Sequence, residues 1–551
     1  MLHIDGSTLE GGGQLVRNAL ALSALTGRPV TINNIRGKRN GPRGLRRSHT
    51  AAIQFLAEVC GGRIVGATVG SSEITFYPRE AEDALPDGRM GEDEQTRPRL
   101  HPLPLASPIQ SEYDIRLTTP GSIFLIFQAL YPYLVYAGAS LHSKGEGVSG
   151  SSARQVIKLN ITGGTNISFS PSYDYVSQVL IPNFETLGLP RLSVKLNRRG
   201  WSSGAVQVGS VSFEIEPFGI SSVRGVTAGL LDTKEVGQYG MDCLKQEEIA
   251  GDPGSESSRP VFPPKFPRIS LEILDPGFIT GVDITVLAPD TTLHQAAAFK
   301  HSNRTHQRTR KNGNYSQHGT KRPEKHHYKR TTLSKPEFDV EESEVLEPSP
   351  SGGKGLSYSP GLQPIRSFLE DAAIKSVTAA LRVFNNNPRA TKQPSLHDTP
   401  FVKIHTTEPT NDPSHIYVLL VAHTSTGFRL GGGKLYSEYQ SKEKNKECRR
   451  ISPEKNMEAL LRGMVNECVA GLMGEFPVMS DAGPKDVPRK GTKGCLDTFM
   501  RDQVVVFQAL GELDEEKWES RKSGSQTEEQ GLSLHTLTAM WVCERVLGVR
   551  M

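Results

Sequence analysis

The chain has 551 residues, 36% of them hydrophobic, and a formal net charge of +4 at pH 7. That length accommodates two or three domains, but so low an apolar fraction requires part of the chain to be polar and unpacked. Near-neutral charge gives no argument of its own for a nucleic-acid partner, and the six cysteines form no CxxC pair, which excludes a disulfide framework or zinc site and favours a reducing compartment.

At the start, Met1-Leu2-His3-Ile4-Asp5 shows no basic segment ahead of an apolar run, so no secretory leader is read. The loop Glu10-Gly11-Gly12-Gly13-Gln14 follows. Glycines bring backbone amides close to a phosphate without a Cβ clash, and Glu10 offers oxygens to a divalent cation. The bland alternative is a glycine turn that opens the next helix. The loop is not a P-loop, since GxxxxGK[ST] is absent. Gly431-Gly432-Gly433-Lys434 is superficially similar but is followed by Leu435, which has no hydroxyl.

Apolar spacing predicts a helix over 13–27, with Leu15, Ala19, Leu22 and Leu25 on or near one face. Alternation predicts a strand over 29–36, a helix over 48–59, and strands over 63–68 and 73–77. This β-α-β-α-β-β pattern predicts an α/β protein. Between strand and helix lie Arg36, Lys38, Arg39, Arg43, Arg46 and Arg47, closing with His49. Arginine pairs bidentately with phosphate oxygens, so this tract reads as a phosphate clamp or else as a charged loop.

The most apolar stretch, 122–140, contains Gln128, Pro132 and Gly138 and predicts a buried core helix rather than a membrane span. Further helices are predicted at 121–137, 172–187, 456–472 and 500–510, with weak self-similarity in sequence. Residues 80–110, 241–266 and 300–365 break the globular pattern. From Lys300 to Arg330 there are ten Lys/Arg and one acid, Glu324. That tract reads as a disordered basic insertion, as an RNA-contacting or nuclear-targeting segment, or as retained non-coding sequence.

Near the C-terminus, Asp502-Gln503 opens an apolar helix, with Phe499 just before it. His535 then sits in Leu534-His535-Thr536, ahead of a helical run from Thr538 to Leu547. Taken alone, a histidine beside apolar residues is an ordinary core or surface residue. Neutral imidazole is nonetheless a nucleophile near pH 7, and its phosphoramidate is labile. With the Glu10 loop, His535 points to chemistry on a nucleotide.

These pieces occur in the order found in the RNA 3′-terminal phosphate cyclase family, which the chain resembles. The matching segments are Ile4-Asp5-Gly6 through Gln14, Ile35-Arg36 through His49, Pro120-Gly121-Ser122 with Gln128, and Gly163-Gly164-Thr165-Asn166 through Pro171 and Asp174. They continue with Thr424-Ser425-Thr426-Gly427, Asp502-Gln503 with Ala509-Leu510, and Leu534-His535-Thr536. The resemblance implies a ligase in which the histidine matching His535 attacks the α-phosphorus of ATP and releases pyrophosphate. AMP then passes to an RNA 3′-phosphate, and the 2′-hydroxyl closes a 2′,3′-cyclic phosphate.

It further implies a divalent metal (Mg²⁺ or Mn²⁺) on Glu10. Phosphate or nucleotide contacts are implied from Gln14, Arg17, Arg36, Arg39, Arg47, His49, Gln128, Asp502 and Gln503. Phe499 matches an aromatic that stacks on adenine. The partner is RNA with a 3′-phosphate end, no membrane is involved, and the address is nuclear. The alternative is a non-catalytic cyclase-like protein of small ribosomal subunit assembly. That relative lacks both the histidine and the Glu-Gly-Gly-Gly-Gln pattern.

Three departures stand out. Ser48 replaces the usual glutamine before His49, one residue is inserted between Arg39 and Gly44, and Gly200-Trp201-Ser202-Ser203-Gly204-Ala205 replaces a Gly-Gly-Gly stretch. The implied fold is a large domain of three β-α-β-α-β-β units, formed by 1–211 and 426–551, with a smaller α/β domain inserted at 212–425.

Overall fold

The structure, a computed structural model, describes residues 1–39, 41–78, 99–100, 109–144, 156–219, 264–271, 274, 277–295, 363–385, 399–436, 453–476, 494–513 and 532–549. The polar tracts expected at 80–110 and 241–266 lie largely outside the described residues, and that at 300–365 almost wholly so.

The first unit runs β1 (Leu2–Asp5), α1 (Gly13–Thr26), β2 (Val30–Asn33), α2 (Arg47–Cys60), β3 (Arg63–Val65) and β4 (Ile74–Tyr77). Its sheet order is β1-β2-β4-β3, with β1 and β2 parallel and the other pairs antiparallel. The second unit has β5 (Glu112–Arg116), α3 (Ile123–Ala137) and β6 (Ile157–Gly163). A helical run follows: α4 (Tyr173–Tyr175), a π turn (Val176–Leu180) and α5 (Ile181–Thr186). It ends with β7 (Leu192–Arg198) and β8 (Gly209–Ile215). Its order, β5-β6-β8-β7, repeats the first in both sequence and strand direction.

Helix boundaries follow local chemistry. Helices α1 and α2 stop where Gly27 and Gly61 take the left-handed conformation that a Cβ disfavours. Helix α1 is buried from Gly13 to Leu25 and serves as the central rod of the large core. Helix α3 is long and apolar enough to pass for a membrane span, yet its side chains fill this same core, as its composition predicts.

The third sheet joins β9 (Ile279–Ala288), β10 (Phe401–Pro409), β11 (Tyr417–Thr424) and β12 (Arg429–Leu435) in the order β10-β9-β11-β12. Helices α6 (Ile365–Asn385) and α7 (Pro453–Gly474) cover one face and form a second core from Ile279 to Phe476. The other face, with Leu287, Leu419 and Val421, joins the large core. Burial on both faces explains the unbroken apolar run of β11.

Helices α8 (Thr498–Glu512) and α9 (Leu534–Leu547) return to the large core. The mixed α/β class is as the sequence predicts, but the grouping differs. Position 212 falls within β8, and 425 falls between β11 and β12, which pair over seven registered positions. Strand pairing therefore moves the insert toward 279–476. Among the described residues the three four-stranded sheets all contribute side chains to the large core, which α8 and α9 complete.

Candidate phosphate site at the N-terminus of helix α1

The site lies where the loop after β1 meets the start of α9. Gly12 is the N-cap of α1 and provides no side-chain cap, so the amides of the first turn stay available. Gly13 leaves no room for a side chain: a Cβ there would lie 2.3 Å from Nε2 of His49 and 3.0 Å from an Arg17 nitrogen. His49 and Arg17 thus crowd directly onto the helix start.

These groups are electrostatically uncompensated. Burial, with Arg36 nearby, brings the Arg17 guanidinium down to about 10. Its Nε donates to Oε1 of Gln128 on α3 at 3.1 Å, a neutral partner. Arg36 has a buried Nε without a hydrogen-bond partner. His49 is pushed down to about 3 by burial and by Arg17, Arg36 and Arg46, so it is a neutral imidazole. Its Nδ1 accepts from the Arg46 amide at 3.2 Å. Buried cations without a carboxylate call for an anion.

On the other wall, Ser533 caps α9 and His535 stands in its first turn. Nδ1 of His535 lies 3.0 Å from Oε1 of Gln14 and 3.1 Å from Oε2 of Glu10. The Gln14 oxygen only accepts, so the proton sits on Nδ1 and Nε2 keeps its lone pair, while the Glu10 carboxylate stands beside Nδ1 at ion-pair distance without a formed hydrogen bond. Burial lowers the His535 pKa; the Asp502 charge opposes this, and Arg39 and Arg17 add to it. The ring is therefore neutral near pH 7.

Asp502 lies in the second turn of α8, beside the start of α9. It is buried on α8, and its Oδ1 accepts from Ser533 Oγ at 3.1 Å and from Thr536 Oγ1 at 2.6 Å. It thereby fixes the α9 turn that carries His535.

Glu10 is buried, and Arg39 forms an ion pair with it. The Glu10 amide donates to Thr538 Oγ1 of α9 at 3.3 Å. Neither carboxylate oxygen accepts a well-formed hydrogen bond. No group of three or more His, Cys, Asp or Glu that could hold a metal occurs among the described residues. A single unsatisfied carboxylate suits a Mg²⁺-like ion that keeps waters and takes substrate phosphates, and not a structural zinc. In that limited sense Glu10 fits the metal.

The structure therefore brings together Glu10, Gln14, Arg17, Arg36, Arg39, His49, Gln128, Asp502 and His535. Gln503 and Gln128 line a pocket with Phe127, Tyr131, Leu180 and Phe507. Phe499 is exposed, its ring edge-on to Tyr175 at 6.1 Å. Arg47 stands exposed at the start of α2, and among the described residues no hydrogen bond or ion pair ties it to the site.

Arg46 belongs to the basic tract already noted, and sequence reasoning missed two further contributors. Arg46 acts on Arg36 and His49 through its charge. The strained backbone of Leu9, Asn34 and Arg36, all at positive φ, shapes the rim. Asp497 caps α8 and also accepts from Tyr175 Oη at 2.7 Å and from the Gly431 amide at 2.8 Å, tying this helix to the third sheet. Burial raises its carboxyl to about 6.

A lone-pair nitrogen, a carboxylate and arginines without carboxylate partners, Arg17 and Arg36, meet at one helix start of an α/β protein. The family model described as RNA 3′-terminal phosphate cyclase matches residues 8–551, and the chain belongs to that family. It is 38% identical over 200 residues to the RNA 3′-terminal phosphate cyclase of Desulfurococcus amylolyticus, covering 36% of this chain and 43% of the relative. It is 32% identical over 233 residues to that of Methanococcoides burtonii, covering 42% and 57%. It is 35% identical over 218 residues to that of Pyrococcus furiosus, covering 39% and 51%. The chain thus spans about half the length of the curated relatives it matches.

Proposed function

We propose that this protein converts an RNA 3′-phosphate end to a 2′,3′-cyclic phosphate at the expense of ATP, with AMP carried on His535. The observation that carries the reading is the Gln14 acceptor on Nδ1 of His535, with the Glu10 carboxylate beside it, which leaves Nε2 as a neutral nucleophile near arginines that lack a carboxylate, Arg17 and Arg36.

Nε2 attacks the α-phosphorus, the bond to the β-phosphate oxygen breaks, and pyrophosphate leaves. Charge that develops on the phosphoryl oxygens faces Arg17, Arg36 and the uncapped α1 turn. Gln14 and Glu10 hold the ring and its Nδ1 proton. Adenine fits the wall around Phe499 and Gln503, since a flat ring stacks on any base. A 3′-phosphate oxygen of RNA then takes AMP from Nε2. The 2′-hydroxyl attacks this activated phosphorus and expels AMP. When bound at Glu10, Mg²⁺ or Mn²⁺ would supply positive charge against the polyphosphate.

The test is incubation with α-labelled ATP and Mg²⁺, followed by a denaturing gel. An acid-labile labelled band, chased by RNA ending in a 3′-phosphate, is expected. A protein that binds RNA but never labels would sink the reading in favour of a non-catalytic role.

A further inference from the structure

The glycine run Gly431-Gly432-Gly433 is no P-loop; it forms part of β12, and its first glycine meets the start of α8. A Cβ at Gly431 would lie 2.7 Å from a ring carbon of Tyr175 on α4, so the tyrosine ring rests directly on the strand backbone. The Gly431 amide donates to Asp497 Oδ2 at 2.8 Å. Tyr175 Oη donates to Asp497 Oδ1 at 2.7 Å. The same Oδ1 accepts from the Met500 amide at 2.9 Å and so caps α8. One buried carboxylate therefore joins a strand of the third sheet, a tyrosine of the second unit and the start of α8.

A second tie runs in parallel. Thr498 Oγ1, at the first position of α8, donates to Glu475 Oε1 at 2.8 Å, just past the end of α7. Gly431 and Glu475 both belong to the inserted group of elements, 279–476. The start of α8 is thus held by the insert at two points.

Capping a helix needs only the Met500 bond. A buried charge adds little net stability, so the Tyr175 and Gly431 bonds are poorly explained as stabilisers. What three bonds to one carboxylate do supply is a single arrangement of the groups that make them. Phe499 stands on that arrangement. It lies two residues past Asp497 and one before Met500, and its exposed ring meets Tyr175 edge-on with centroids 6.1 Å apart. An exposed ring is fixed by its backbone and by what it leans on, and here both lead to Asp497.

We propose that Asp497, with Tyr175 and Gly431, is a positioning residue for nucleotide binding, through which the third sheet holds the Phe499 ring in place for adenine. This rests on the stacking role given to Phe499 in the proposed function and adds what holds that ring.

The test measures affinity of the full chain for α,β-methylene-ATP, whose α–β bridge cannot be split, by isothermal titration calorimetry. It is run at pH 8, above the value of about 6 to which burial raises the Asp497 carboxyl. Asp497→Asn is the selective variant. Its one oxygen still accepts from Met500 and Tyr175, so the cap survives, but its NH₂ faces the Gly431 amide. Affinity should fall about fivefold, part of the roughly tenfold lost when Phe499→Ala removes the stack outright. On the Phe499→Ala background, Asp497→Asn should change affinity by no more than about twofold. Gly431→Ala presses on Tyr175 from the other side and should behave like Asp497→Asn. Tyr175→Phe keeps the ring and drops the hydroxyl, the mildest change. It should weaken binding about threefold, again only while Phe499 is present. Ser122→Ala, which removes a cap from α3, should lower the melting temperature and leave affinity unchanged.

Unchanged affinity in folded Asp497→Asn or Tyr175→Phe overturns the positioning role. Losses that persist undiminished on the Phe499→Ala background overturn it too, since the effect then bypasses the ring. AMP labelling is read in separate lanes: no label in wild type overturns the proposed function, while the titrations still decide the junction.

Discussion

The first two β-α-β units share sheet order and strand directions, yet only one carries the site, and the difference lies in how each opens its first helix. In the second unit, Ser122 caps α3, its Oγ accepting from the Leu125 amide at 3.0 Å. In the first, Gly12 leaves α1 without a side-chain cap, and the vacated space is rimmed by Arg17, Arg36 and His49. One helix start is satisfied from within; the other is left for a ligand. A repeated scaffold becomes a site where it withholds its own cap and gathers uncompensated charge around the gap.

The sharpest break in the comparison is His535→Ala. It should abolish AMP labelling while the melting temperature stays within a few degrees of wild type, because the side chain is half exposed. Labelling that persists would assign the nucleophile elsewhere.

Matched glycine substitutions come next. Gly13→Ala forces a methyl against His49 and Arg17, whereas Gly121→Ala in the second unit meets the end of the Leu117 side chain at 2.8 Å. Overpacking costs about 1–3 kcal/mol in either place. Only Gly13→Ala should reduce labelling, by about tenfold or more in initial rate at fixed ATP. Equal losses from both would show that the two helix starts are not functionally distinct.

The electrostatic contrast also sets a pH dependence. Burial holds His535 below its ordinary 6.5, so the neutral nucleophile persists through that pH, and labelling should fall only at lower values. The Asp502 charge works in the opposite direction on His535. Asp502→Asn should therefore shift the acidic limb lower still, as read from rates between pH 4.5 and 8 on the folded variant. A limb at or above 6.5 in wild type would contradict the buried-site electrostatics.

The smallest effect is expected from Ser122→Ala. Losing the cap should cost about 1 kcal/mol in urea unfolding with no change in labelling. Any change in ATP handling would mean that the second unit communicates with the first.

Much of this was legible in sequence because local rules decide it. The glycine loop, the helix from 13 and the strand pair ending near Tyr77 follow from spacing and turn chemistry, and the structure has them within a few residues. The resemblance marked the residues around Gln14 and His535 because their types and order are distinctive. What was not legible depends on pairing across long distances. Asp497 gains its meaning only when Tyr175 and Gly431 arrive. Arg199 could not be told from a surface arginine until Asp174 of α4 and Glu408 of β10 closed on it at 2.6–2.9 Å. The hold of Asp502 on the turn that carries His535 was not legible, because its partners Ser533 and Thr536 lie at the start of another helix. The strand β12 was not legible for a related reason: it looks like a glycine loop in sequence, and only its register with β11 makes it a strand.

The contact between Gln14 and His535 spans 521 positions of chain. Synthesis at about 5–20 residues per second separates the two by roughly half a minute to two minutes. Throughout that interval the glycine loop, the arginines and α1 can fold, but α9 has yet to emerge. A nascent chain can therefore have a formed phosphate bowl and no nucleophile to place beside it. If the proposed function holds, a chain stopped short of His535 should not label with AMP, however well its first unit has folded.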